Sequence, residues 1–314
     1  MPSILLPLLL LFFVTACATS PEGRTQLVAP QPLQGFSAVY SEFDMHLQLV
    51  TATNSPACSE VECAADRAFD QRILALGRRL ADVAYRRYPD LHLRFPRFEF
   101  VIADKVDPGA ASSAGGTVVI FRGVRRLGLD DAALAFVLAR EMSHVIAGHH
   151  DENVTTSILI AVAAQILLPV LNIGALFSSG AATTAAATTA TTAASTAVTT
   201  TAVTSVASFA GSRALRASDR PLQVREAESI AMKLLVAAGW DGREVSDQLE
   251  ALRPALPEEP DWTVELRESA RHIASLLQGP QLPRETPAPA GSPDQAAPKP
   301  LAPDLPPSKI SPSF

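Results

Sequence analysis

The sequence predicts an α+β domain, mostly helical with a small β-sheet, and three observations carry that prediction. Apolar residues recur at helical spacing over long stretches, two short runs of aromatic or β-branched residues look like strands, and Gly- and Pro-containing turns separate them. The chain exceeds one typical domain length, but much of the excess is low-complexity sequence, so a single core domain is expected. The formal net charge is −6 with acidic and basic residues interspersed, which gives no nucleic-acid surface.

The first segment, residues 1–17, reads as a signal peptide rather than as part of the fold. Leu5 to Val14 is almost wholly apolar, short for a membrane span, and runs into Val14-Thr15-Ala16-Cys17. Small residues before a cysteine resemble a bacterial lipobox, in which Cys17 is lipidated and becomes the first residue of the mature chain; an ordinary cleaved signal is the rival reading. Ala18 is not the aspartate of an inner-membrane retention signal, so the expectation is a lipid anchor in the outer membrane, facing the periplasm. Cys58 and Cys63 suit that oxidising compartment as a disulfide, against the alternative of a metal-binding pair with no further cysteine to complete it.

Residues 18–63 carry no clear pattern. From Ala64 to Tyr88, Phe69, Ile73, Leu76, Leu80, Val83 and Ala84 form an apolar stripe between charged residues and predict an amphipathic helix. Phe98 to Ala103 and Thr117 to Arg122 read as strands, with turns at Asp107-Pro108-Gly109 and Gly115-Gly116. Asp130 or Asp131 is placed to N-cap a helix running to about Ala147, with Gly148 at its end. Ile158 to Phe177 is uncharged but interrupted by Gln165, Pro169 and Asn172, and is read as a buried or membrane-surface helix in preference to a span. Residues 178–220 form an Ala/Thr-rich low-complexity insert, helices resume at Leu222–Ala238, Gly242–Leu252 and Thr263–Leu277, and residues 278–314 are a Pro-rich tail expected to be disordered.

The helix from Asp130 carries Arg140-Glu141-Met142-Ser143-His144. In the zinc-protease pattern H-E-x-x-H, two histidines four apart bind the metal from one helix face, and the Glu acts as general base on the bound water. Glu141 and the second histidine, His144, are in place. Arg140 fills the first histidine position, and a guanidinium has no lone pair to give a metal. His149 lies about 140° round a continued helix from His144 and His150 further still, so both read as surface residues.

Three landmarks in order give a resemblance to a known family. They are the strand-turn-strand from Phe98 to Ile120 followed by Arg122-Gly123-Val124, the segment Leu134 to His150, and Arg225-Glu226-Ala227-Glu228 ahead of Ala238-Gly239-Trp240-Asp241. Together they resemble the HtpX-like and CAAX-prenyl-protease-like zinc metallopeptidases of the M48 peptidase family, whose periplasmic members serve outer-membrane quality control. The resemblance implies a gluzincin-type metallopeptidase domain over residues 64–277, zinc as cofactor, Glu141 as base and His144 as a ligand. It places Val224 at the third ligand position and Glu228 where relatives carry the carboxylate behind the first histidine. With Arg140 and Val224 in two of three ligand positions, zinc is expected to be absent. The function expected is a noncatalytic relative that binds a polypeptide or envelope protein partner, an edge strand near Thr117–Phe121 offering β-augmentation. The alternative is an active zinc metalloendopeptidase with a rearranged site drawing on Glu141, His144 and Glu226. An ion pair between Arg140 and Glu228 is expected to replace the zinc shell, with outward snorkelling of Arg140 as the alternative.

Overall fold

The computed structural model describes residues 17–28, 31–158, 220–252 and 261–278. The signal segment before Cys17, the apolar run after Ile158, the Ala/Thr-rich insert and the Pro-rich tail lie outside the described residues.

The polypeptide begins with a small antiparallel hairpin, β1 (Cys17–Thr19) and β2 (Thr25–Leu27), in the register Cys17↔Leu27. Helix α1 (Gln31–Thr51) follows, within the stretch where the sequence shows no pattern. The reason is chemical. Its inward face is Ser37, Ser41 and Met45, while Phe36, Val39, Phe43, Leu47 and Val50 point outward, so the usual polarity is inverted. Ser41 fastens the helix, its Oγ accepting from the Ala114 amide at 2.9 Å.

Helix α2 (Glu60–Arg87) starts one turn earlier than its apolar stripe suggests, because Ser59 and Glu62 form a capping box. Cys58 and Cys63 are joined by a disulfide across that helix start. The expected stripe faces inward, with Phe69, Ile73, Leu76, Leu80, Val83 and Ala84 all buried.

After a short helix α3 (Leu91–Arg94) come β3 (Glu99–Ala103), β4 (Ala110–Ser112) and β5 (Thr117–Phe121). The order is β3-β5-β4, with β3 parallel and β4 antiparallel to β5. Thr117–Phe121 is therefore the central strand and not the expected edge, since Val118, Val119 and Ile120 are buried on both faces. The edge on the other side is β4, three residues that read as loop because Ala-Ala-Ser has little strand propensity. A 3-10 turn, Arg122–Leu127, leads out of the sheet, and Gly123 is required there: a Cβ would strike the backbone of Val106 and Asp107.

Helix α4 (Asp131–Ile146) is the centre of the molecule. Asp130 caps it by accepting from the Ala133 amide at 2.8 Å. Phe136, Leu134, Leu138 and Met142 are fully buried, each contributing about 1.5–3 kcal/mol of hydrophobic stabilisation. A helix apolar all round belongs inside, and α4 packs against α2, β4, β5 and α7 (Gly242–Glu250). Helix α5 occupies residues 149–158, α6 residues 220–237, and α8 (Asp261–Gln278) packs closely on α7.

Candidate functional site

Where α4 ends, Gly148 takes φ +74°, a left-handed conformation that terminates the helix and starts α5 in a new direction. The consequence overturns the surface assignment of His149 and His150. His149 is 1% exposed, its Nδ1 lies 2.9 Å from Nδ1 of His144, and its Nε2 lies 3.1 Å from Glu226 Oε2. The angle of about 140° assumed one continuous helix; the turn at Gly148 folds the chain back over its own last turn. Burial first, then the neighbouring charges of His149 and Arg140, hold His144 well below the usual histidine range, so it is neutral.

The three positions that the resemblance assigns to the ligands come together. Arg140, His144 and Val224 line one cleft of about 290 Å³, together with Glu141. Ser112 of β4 bridges into it, its Oγ donating to Glu141 at 3.2 Å and lying 3.1 Å from His150 Nε2. Burial pushes the Glu141 carboxyl up, against the Arg140 charge and the Ser112 hydrogen bond, which pull it down.

Arg140 does not snorkel outward. It is 2% exposed, with Nη1 3.4 Å from both Glu265 Oε1 and Ser269 Oγ, and Nη2 3.8 Å from Glu141 Oε1. The expected pair with Glu228 is not made. Glu228 Oε2 sits 2.5 Å from Nδ1 of His272 instead. Both partners come from α8, where Glu265, Ser269 and His272 stand at i, i+4 and i+7 on one face. That polar spacing on an otherwise amphipathic helix is the signal from which these three residues could have been found.

Glu226 is not at the cleft surface. Its Oε2 is engaged by His149 and, at 2.7 Å, by Nε of Arg24, whose other nitrogens reach Glu152 at 2.6 and 2.7 Å. Desolvation would raise the Glu226 carboxyl, but hydrogen bonds from His149, Ser20 and Arg24 hold it down to about 2. Glu22 adds an ion pair to Lys233 at 2.6 Å, so the hairpin that opens at Cys17 is bonded to both α5 and α6. Cys17 itself is exposed.

A catalytic zinc requires three protein ligands and an open position. Arg140 and Val224 offer no lone pair, and of those three positions only His144 can bind metal. Among the described residues no group of three or more His, Cys, Asp or Glu side chains is placed to hold a metal ion. At those three positions the donor set does not fit zinc. Among the described residues no helix is long and apolar enough to cross a membrane.

No curated protein and no solved structure matches the chain. The family model of Peptidase family M48 matches residues 71–270, from α2 through the cleft to α8.

Proposed function

The chain belongs to Peptidase family M48, a zinc-dependent family, and we propose that it is a noncatalytic member that binds polypeptide in envelope quality control. The observation that carries this reading is the buried guanidinium of Arg140 at the first ligand position, with Val224 at the third, in the cleft that Glu141 and His144 also line. A fixed positive charge there opposes zinc, and without zinc Glu141 has no activated water to deprotonate. Ala110, Ala111 and Ser112 of the edge strand β4 line the same cleft, which supports β-augmentation by an extended chain at β4. We place the protein on the periplasmic side of the outer membrane, anchored by lipid on Cys17, a reading supported by the lipobox spacing and the exposure of that cysteine.

A second reading, an active zinc metalloendopeptidase with a rearranged site, draws on Glu141, His144 and His150 lining one cleft. One experiment separates the two. The full chain in detergent and its Arg140→His, Val224→Glu double variant are loaded with zinc and assayed by elemental mass spectrometry, and binding of labelled, unfolded casein is followed by anisotropy. The expected result is no stoichiometric zinc in the natural chain, about one per chain in the variant, and casein bound without cleavage. Stoichiometric zinc with casein cleavage in the natural chain would establish the second reading.

A further inference from the structure

We infer that the cleft is a carboxylate-binding site, in which Arg140 and Trp262 receive the carboxylate of a peptide ligand. The inference rests on the polypeptide-binding reading above and names the chemistry of its ligand.

Arg140 is a guanidinium with five N–H donors, 2% exposed, and poorly supplied with acceptors. Its one hydrogen bond, to Ser269 Oγ, is 3.4 Å long, and its nearest carboxylate oxygen, on Glu265, is also 3.4 Å away. Charge-assisted N–H···O bonds are about 2.7–2.9 Å. Glu265 is the closer partner of Arg220, at 2.7 Å, and the Ser269 hydroxyl donates its proton to the Glu265 carbonyl. Arg140 Nε has no hydrogen-bond partner at all among the described residues.

The second donor is Trp262. It lines the same cleft, the Arg140 guanidinium carbon lies 5.9 Å from its ring centroid, and its buried Nε1 also lacks a partner. Of the unpartnered buried polar atoms among the described residues, these two belong to side chains lining this cleft, and both are donors. The deficit is one-sided. A ligand that satisfies it must bring acceptor oxygens, because buried polar groups without partners are costly.

The form of that acceptor follows from the surroundings. Glu265, Glu141 and Asp44 also line the cleft, so a doubly charged phosphate meets more repulsion than a singly charged carboxylate. A planar carboxylate also matches the guanidinium fork. The edge strand β4 alongside suits an extended peptide as its carrier. The carboxylate can belong to a chain end or to an Asp or Glu side chain, and the two are told apart by test.

The probes are a fluorescein-labelled Ala-Val-Ala-Val-Ala peptide with a free C-terminal carboxylate, its C-terminal amide, and an amide carrying one internal Asp. Anisotropy is measured against the full chain in detergent, beside labelled unfolded casein. The acid peptide is expected to bind at least about tenfold more tightly than the plain amide, as expected for one good charge-assisted contact. Arg140→Gln should level the two to within about twofold, and Arg140→Lys, which keeps the charge but loses the fork, should fall between. Should Arg140→Gln fail to fold, Trp262→Phe takes its place and should narrow the preference for acid over amide about threefold or more. Tighter binding of the Asp-bearing amide alone assigns the site to acidic side chains, of the acid alone to chain ends, and equal binding of the two to either carboxylate. Equal affinity for the plain amide and both carboxylate-bearing peptides, or a preference that survives Arg140→Gln, overturns the inference. If casein still binds in that case, the polypeptide-binding reading stands; if casein and peptides alike fail to bind, both fall.

Discussion

Nδ1 of His144 and Nδ1 of His149 face each other at 2.9 Å, although the two residues lie on different helices joined by a two-residue turn. One ring must donate and the other accept, so the pair excludes a doubly charged state and links the end of α4 to Glu226 through His149. The contact depends on Gly148. An L side chain in its left-handed conformation costs about 1–2 kcal/mol, and the nearest side-chain atom, 3.6 Å from where a Cβ would stand, leaves room for a methyl group. Gly148→Ala should therefore lower stability by about 1 kcal/mol through strain alone, read as a shift in the urea midpoint without a change in slope.

Acid should destabilise the fold in two stages. Burial first, then the charges of His149 and Arg94, hold His150 down to about 3, against 6.5 for an unperturbed histidine. Between those values the unfolded chain holds more protons, so this contribution is complete above pH 6.5 and is lost as pH falls toward 3. The Glu226 contribution is present above 4.5 and is lost as pH falls toward 2. In urea titrations across pH, His150→Asn should make the decline between 6.5 and 4.5 shallower, His144 supplying the remainder, and leave the lower stage in place. An unchanged upper stage in that variant would refute the assignment.

Arg24→Ala should be among the more damaging changes outside the core. It takes the shared arginine from two buried carboxylates, leaving Glu226 with His149 and Glu152 with Gln223, and breaking such a group from one side costs about 3 kcal/mol. Arg24→Lys keeps the charge without the fork that reaches both, and should recover only part of the loss. Thermal unfolding of the two variants side by side measures it.

Arg140 should behave differently. Its own partners are distant, Glu265 keeps Arg220, and Glu141 is already pushed toward its neutral form by burial. Arg140→Met should hold stability within about 1 kcal/mol or raise it, as apolar replacements of buried charges often do. A loss of about 3 kcal/mol or more would make Arg140 a structural residue rather than a ligand-facing one.

The helices that carry the core were legible because their apolar stripes are local. The buried face of α2 and the capped start of α4 at Asp130 both follow from spacing and cap chemistry in the chain itself. Helix α1 was not legible, because it buries Ser37, Ser41 and Met45 and exposes its large apolar side chains. Strand β4 was not, because Ala110–Ser112 is held in place by pairing with β5, a contact that no local propensity encodes.

At the site the same division holds. The sequence by itself determined that Arg140 and Val224 can give nothing to a metal, since neither side chain has a lone pair to donate wherever the backbone places it. It also determined that Glu141 and His144 share a helix face, three residues apart. Only the tertiary structure decided who answers the Arg140 charge. The choice of Glu265 over Glu228, of His272 for Glu228, and of His149 for His144 depends on how α8 packs and on the one left-handed turn at Gly148. Ion pairs and hydrogen bonds act over a few ångströms, and residues on separate helices, such as Arg140 and Glu265, come that close only once the core has packed.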